Sequence, residues 1–289
     1  MPEFCVILPC FNERNAITDG VHAVYQVLDE NADWEIIVVD DGSDDGSAEL
    51  LDKLKGELKR LRVFTHEDNR GYGAALKTGI HATDADWVVI TDADGTYPAS
   101  HIPQLIAEAK NVDMVVGART GEKVASSVIR NFAKLFLTWY CSWITKYRIP
   151  DINSGMRVLK KTSVEKYFTL LPDTFSFTTT ITIAMLSNNH EVKYIPVNYN
   201  QRIGASKIRP IRDTLNFIQL IFRTGSLFAP MRTFMPFIIL FGGFFVFSAL
   251  YDALSAANLT DTTILLFILF QSTFLFAILA DLIRQHCKR

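Results

Sequence analysis

Short apolar runs recur through the first part of the chain: FCVIL at 4–8, EIIVV at 35–39, LRVFT at 61–65, WVVIT at 87–91 and VDMVV at 112–116. Between them the apolar positions take a helical spacing, as over Ala16–Asp29 and Ala48–Arg60. Strands alternating with helices predict an α/β domain built on a doubly wound, mainly parallel sheet covered on both faces. Such burial demands strands that are apolar on both sides, and these runs are.

The pattern changes towards the C-terminus. Phe234–Tyr251 and Thr262–Ala280 carry no charged residue. Each approaches the roughly 20 residues that cross a bilayer core as a helix. Two helices buried in a soluble body would read the same way, but would need a larger body around them. The connection between them holds Asp252 and Asp261 and no Lys or Arg, whereas Arg223, Arg232, Arg284, Lys288 and Arg289 flank the pair. The positive-inside rule then predicts an integral membrane protein with its N-terminal domain and C-terminus in the cytoplasm. Before the first span, Ile211, Leu215, Ile218 and Phe222 fall on one helical face beside Arg209, Arg212 and Arg223. That fits an amphipathic helix on the membrane surface, or one packed on the domain. The expected organisation is an α/β domain over 1–208, a juxtamembrane segment over 209–232 and a two-helix anchor over 233–289.

Composition narrows this picture little. The chain has 289 residues, of which 49% are hydrophobic and 21% charged, and a net charge of −2. Nothing in that balance suggests nucleic-acid binding. Cys5, Cys10, Cys141 and Cys287 are scattered, without zinc-type spacing or a disulfide framework. The N-terminus lacks a basic stretch before its apolar run and reads as a first strand rather than a signal peptide.

The chemistry is expected at the strand ends, because ligands of open α/β sheets bind beyond the carboxyl edge. There the chain places Pro9, Phe11 and Glu13, then Asp40 and Asp41 in VVDDGSDDGS, then Asp92 and Asp94 in TDADGTYP. Converging carboxylates raise one another's pKa unless a cation sits among them. Mg²⁺ or Mn²⁺ suits such hard oxygen ligands. Asp40–Asp45 taken alone reads better as a turn and helix cap. The segment GYGAALKTG lacks the third glycine of a dinucleotide fingerprint and follows the wrong strand.

With these motifs in order, and with VVGAR, DINSGMRVLKK and QRIGASK after them, the chain resembles the family-2 glycosyltransferases of GT-A fold. It looks most like the dolichyl- and polyprenyl-phosphate sugar synthases. The resemblance covers the chain to about Lys207. It implies that Pro9, Phe11, Glu13, Val39 and Asp41 border the nucleotide, and that Asp92, Ala93 and Asp94 form the diphosphate and metal motif. Arg119 would face the donor and acceptor phosphates, with Arg130 as a second acceptor-phosphate arginine. Arg202 and Lys207 would lie in a basic loop closing over the diphosphate. Asp151 is implied near the sugar and acceptor, as a base or positioning group; the alternative is a structural partner for Arg157. Gly95 and Thr96 stand where many relatives carry Leu and then Gln or His, which leaves Thr96 as a weak third metal ligand.

The implied activity is metal-dependent, inverting transfer of one hexose from a UDP-glucose- or GDP-mannose-type donor to a polyprenyl phosphate. Another membrane lipid such as diacylglycerol, or a non-catalytic nucleotide-sugar sensor, are the competing readings. The QxxRW motif of processive synthases is absent. A homotetramer is one assembly the resemblance allows, and Gly242–Gly243 would permit close helix packing.

Overall fold

A computed structural model describes residues 2–28, 32–119, 138–200, 219, 222–255 and 258–286. Its centre is a seven-stranded sheet in the order β3-β2-β1-β4-β6-β5-β7. The five runs read from the sequence form β1 (Phe4–Cys10), β2 (Trp34–Asp40), β3 (Leu61–Thr65), β4 (Trp87–Ile90) and β5 (Met114–Arg119). Two further strands, β6 (Arg157–Lys160) and β7 (Val192–Val197), complete it. All neighbours run parallel except β6, which is antiparallel to both β4 and β5.

The period-two alternation of each strand sorts the core into two layers. Cys5, Ile7, Ile37, Val39 and Ile90 meet α3 (Tyr72–Ala82) and α7 (Phe177–Ser187) on one face. Val6, Leu8, Ile36, Val38 and Val89 meet α1 (Ile17–Val27), α2 (Ser47–Glu57) and α4 (Ile102–Ala109) on the other. The register pairs Cys10 with Asp40, Asp40 with Thr65, and Ile7 with Ile90. The loops after the first four strands therefore leave the same edge of the sheet.

Further along, α5 (138–145) and the short α6 (Lys161–Glu165) precede α7, and α8 (222–228) precedes two long helices. These are α9 (Pro230–Ser255) and α10 (Asp261–His286), each 26 residues and long and apolar enough to cross a membrane. They pair as a hairpin. Gly242 lets the Phe270 ring approach to 3.1 Å of where a Cβ would stand. At the turn, the Asp252 carboxylate accepts hydrogen bonds from Thr260 N at 2.7 Å and Thr263 Oγ1 at 2.6 Å. At the other end the hairpin is tied to the domain. Tyr140 Oη donates to Thr233 O at 3.1 Å, Trp143 Nε1 to Arg232 O at 3.3 Å and Arg232 Nη1 to Ile144 O at 2.7 Å. Half of the expected juxtamembrane segment over 209–232, including Ile211, Leu215 and Ile218, lies outside the described residues.

Candidate active site

The first acidic stretch folds largely as a turn. Asp44 Oδ1 accepts from Asn12 Nδ2 at 2.8 Å, and Asp45 Oδ2 from Arg14 N at 2.9 Å. Asp45 Oδ1 also accepts from the Ser47 amide at 3.0 Å, just ahead of α2, whose N-cap is Gly46. Asp40 is buried, with its Oδ1 on Ser43 N at 3.2 Å. The turn reading thus accounts for Asp44 and Asp45, while the buried Asp40 Oδ2 has no hydrogen-bond partner among the described residues.

Asp41 departs from the expected cluster. Its Oδ1 lies 2.6 Å from His66 Nδ1 and accepts from Arg70 N at 3.0 Å; its Oδ2 accepts from Gly71 N at 2.7 Å. The carboxylate is consumed by the β3–α3 loop, which it shapes. Val39 is likewise turned into the core. Any contact of Val39 with a nucleotide would come from its backbone. Pro9 and Phe11 are half-buried where β1 ends.

Asp92 and Asp94 remain together. They line a cleft of about 390 Å³ with Asn12, Glu13, Asp19, Thr91 and Tyr97. Helix α1 forms one wall, because Gly20 leaves room for the Ala93 carbonyl; a Cβ there would stand 2.7 Å from that oxygen. Thr96 is buried, and its amide and hydroxyl both donate to Asp94 Oδ1, at 3.1 and 2.6 Å. Thr96 therefore aims Asp94 in this arrangement. Gly95 takes φ +71° with no atom within 4 Å of a built Cβ, so the loop is open beside the carboxylate. From the far side, Asn200 N donates to Thr96 O at 2.9 Å.

Among the described residues no three His, Cys, Asp or Glu side chains form a metal-binding group. A Mg²⁺- or Mn²⁺-type ion does not require one, since it commonly takes one or two carboxylates and draws the rest from substrate phosphates and water. Two carboxylates on an open loop fit that donor set.

The basic side of the site is Arg119 at the end of β5. Its Nε and Nη2 grip Asp151 Oδ2 and Oδ1 at 2.6 and 2.8 Å, and its amide donates to Oδ2 at 3.2 Å. Burial alone would raise the Asp151 pKa, yet the hydrogen bonds and charge of Arg119 hold it below the usual carboxylate value. The partner of Asp151 is thus Arg119, and Arg157 binds elsewhere. Arg119 also lies 5.3 Å over the Tyr199 ring, which packs edge-on against Tyr97 at 5.0 Å.

Tyr97 links the two halves. Its Oη accepts from Gly155 N at 2.8 Å. Burial, countered by Arg119 and reinforced by Asp92, pushes its phenol up to about 12. Gly155 in turn lies against Asp92, whose Oδ2 would be 2.6 Å from a Cβ at that position. Tyr72 approaches from α3, its hydroxyl buried, and burial together with Asp92 holds its pKa well above the ordinary value. Tyr97 and Gly155 were visible in the sequence only as parts of the motifs TDADGTYP and DINSGMR. Arg130, Arg202 and Lys207 lie outside the described residues. Cys5, Cys10 and Cys141 are buried and unpaired. Burial lifts each thiol to about 12, which removes them as nucleophiles.

Acidic and basic groups thus face one another beyond the strand ends of an α/β domain that is followed by two helices long and apolar enough to cross a membrane. Among solved structures, the chain is similar to glucosyl-3-phosphoglycerate synthase from Mycobacterium tuberculosis in complex with Mn²⁺, UDP and glucosyl-3-phosphoglycerate. The TM-score is 0.59 and the identity 20%, over 78% of this chain and 80% of that one. The likeness extends to the GT-A fold. The model of glycosyl transferase family 2 matches residues 5–168, and the chain belongs to that family; it is a glycosyltransferase.

Its curated relatives include a dolichyl-phosphate beta-glucosyltransferase of Trichomonas vaginalis, 25% identical over 76% of this chain and 71% of that protein. An undecaprenyl-phosphate 4-deoxy-4-formamido-L-arabinose transferase of Pseudomonas fluorescens is 28% identical over 68% and 62%. A polyprenol monophosphomannose synthase of Mycolicibacterium smegmatis is 28% identical over 70% and 80%.

Proposed function

We propose that this protein moves a single hexose from a nucleotide-diphosphate sugar, of UDP-glucose or GDP-mannose type, to a polyprenyl phosphate at the cytoplasmic membrane surface. The observation that carries the reading is the state of Asp151. Transfer to a sugar or glycerol hydroxyl needs a general base. Asp151 is held in a two-point ion pair with a depressed pKa, which makes it a poor one. A phosphate monoester has a second pKa of about 6 and is largely ionised at neutral pH. Such an acceptor needs positioning, and the Arg119 guanidinium supplies it by charge-assisted hydrogen bonding. The names of the three relatives, each a polyprenol- or dolichol-linked sugar transferase, point the same way.

In this scheme an acceptor phosphate oxygen attacks the anomeric carbon. The bond from that carbon to the β-phosphate oxygen breaks, and the nucleoside diphosphate leaves with the electron pair, inverting the sugar. No proton is transferred. Asp92 and Asp94 would hold a Mg²⁺ or Mn²⁺ ion, which when bound supplies Lewis-acid stabilisation to the departing diphosphate. Thr96 and Gly155 keep the two carboxylates in place, and Arg119 holds the incoming phosphate. Arg202 and Lys207 follow closely in sequence on Asn200, which is tied to the aspartate loop. They are assigned to donor diphosphate binding, and Arg130 to the acceptor phosphate.

The test is a donor screen with the full-length protein in detergent, polyprenyl phosphate, and Mn²⁺ or Mg²⁺, scoring which nucleotide is released. Diacylglycerol serves as the competing acceptor. Asp94→Ala should lower transfer by roughly 10²-fold or more and still partition into membranes. Turnover on diacylglycerol alone would sink the acceptor assignment. Normal turnover of Asp94→Ala at saturating metal would sink the role of the aspartate loop.

A further inference from the structure

Arg119 presents a difficulty as a phosphate contact. Its guanidinium already faces a carboxylate, and an arginine–aspartate pair has no net charge with which to attract an anion. The missing charge lies one layer deeper. Arg157 is completely buried. Its Nε donates to Ser154 O at 2.8 Å, its Nη1 to Thr178 O at 3.0 Å and Thr182 Oγ1 at 2.6 Å, and its Nη2 to Ile152 O at 2.8 Å. All of these acceptors are neutral. A guanidinium keeps its proton in a protein even when buried, so the side chain brings a full positive charge beneath the 151–155 loop. Ile152, whose carbonyl it holds, is the neighbour of Asp151.

We propose that Arg157 is a positioning residue that balances Asp151 from behind, so that the Arg119 guanidinium keeps a net attraction for phosphate. Two guanidiniums then act on Asp151. One touches it through a two-point ion pair and faces outward; the other lies inside the fold and fixes the loop that carries it. The three groups together hold one positive charge. The buried member makes no contact with substrate and acts through Asp151 and Arg119. Burial pulls the Arg157 pKa below its ordinary value, and Tyr194 and Asp151 act against that pull. The inference rests on the role given to Arg119 under Proposed function.

A simpler role would be mechanical, with Arg157 only stapling β6 to α7. Charge rescue separates the two. Full-length protein in detergent, without added divalent metal, is titrated with inorganic phosphate. Wild type, Arg157→Met, Arg157→Lys and the double variant Arg157→Met with Asp151→Asn are compared. Arg157→Met should weaken phosphate binding by roughly tenfold. It should also raise KM for a short-chain prenyl phosphate while leaving KM for the nucleotide sugar near the wild-type value. Arg157→Lys should keep most of the affinity. The double variant, with the same net charge as wild type, should regain it. A double variant no better than Arg157→Met, or equal phosphate affinity in all four proteins, would overturn the inference. So would a wild-type protein that binds no phosphate. If Arg157→Met does not accumulate as folded protein, Arg157→Gln compared with Arg157→Lys gives the same contrast. Phosphate binding that follows this charge pattern, with no sugar transfer to any prenyl phosphate, would reject the proposed acceptor and leave the role of Arg157 standing.

Discussion

Gly155 has no room for a methyl group, because the Asp92 carboxylate occupies the place a Cβ would take, 2.6 Å away. Gly155→Ala should therefore rotate Asp92 out of the cleft. We expect kcat to fall by roughly tenfold or more, with a higher Mn²⁺ concentration needed for half-maximal rate, while the protein still folds. Metal titration of the transfer rate checks this; an unchanged metal dependence would mean that Asp92 is not needed where it stands. Asp151 leads to a pH prediction. Its pKa is depressed by Arg119, so its stabilising ion pair is complete above the unfolded value of about 3.9 and is lost only as pH falls through the lower folded value. The pair is thus intact throughout the range in which the acceptor phosphate titrates. The acid limb of kcat/KM for polyprenyl phosphate should follow one ionisation near pH 6, and Asp151→Asn should leave that midpoint in place. A shifted midpoint in the variant would reveal Asp151 as a base. The depressed carboxyl and its guanidinium partner could not be assigned from spacing alone, since Arg119 and Arg157 were both available and only the fold chose.

Elements meet through small residues at the catalytic edge. Gly71 takes φ +105°, and a Cβ there would collide with the Asp173 carbonyl. The same carbonyl accepts the Ala74 amide at 3.1 Å, helping to cap α3. Gly73 meets the neighbouring Pro172 carbonyl. The first two glycines of GYGAALKTG thus serve a close approach of backbone to helix. Gly71→Ala combines a strained φ with a clash and should cost about 1–3 kcal/mol of stability. A thermal unfolding midpoint lowered by several degrees would show this, and an unchanged midpoint would contradict the packing described. At this scale the strands with uninterrupted apolar runs were legible. Strands β6 and β7 were not. Arg157 opens β6 and Glu191 and Lys193 flank the start of β7, so their composition hides partly or wholly buried backbone. Asp41 shows the same limit. Its place after β2 was readable, but its commitment to His66, Arg70 and Gly71 depended on how the next loop returned.

The whole molecule joins a soluble sheet to an apolar hairpin through α5. Trp139 is 57% exposed, and Trp143 and Tyr147 are each 45% exposed, along one face of that helix and its end. Trp143 also bonds to Arg232 beside the start of α9. Aromatic side chains of this kind gather where hydrocarbon meets headgroups. In nanodiscs containing brominated lipid, we expect tryptophan emission to be quenched, and Trp139→Phe with Trp143→Phe to remove most of the quenchable part. Quenching that survives in the double variant would place the membrane elsewhere. The three hydrogen bonds at the hairpin base tie the domain to the start of α9.

Apolar periodicity by itself determined the wound sheet and the two bilayer-length helices, because burial and bilayer thickness act on local stretches of chain. The position of TDADGTYP after an apolar run, alongside the motifs at the other strand ends, was what singled out Asp92 and Asp94 as candidates. Which carboxylates share a cleft, which arginine holds Asp151, and that a second guanidinium lies beneath it were decided only by tertiary structure. Charges separated by tens of residues become neighbours through strand order and loop return, and the antiparallel β6, inserted between β4 and β5, is what brings Asp151, Gly155 and Arg157 to the site.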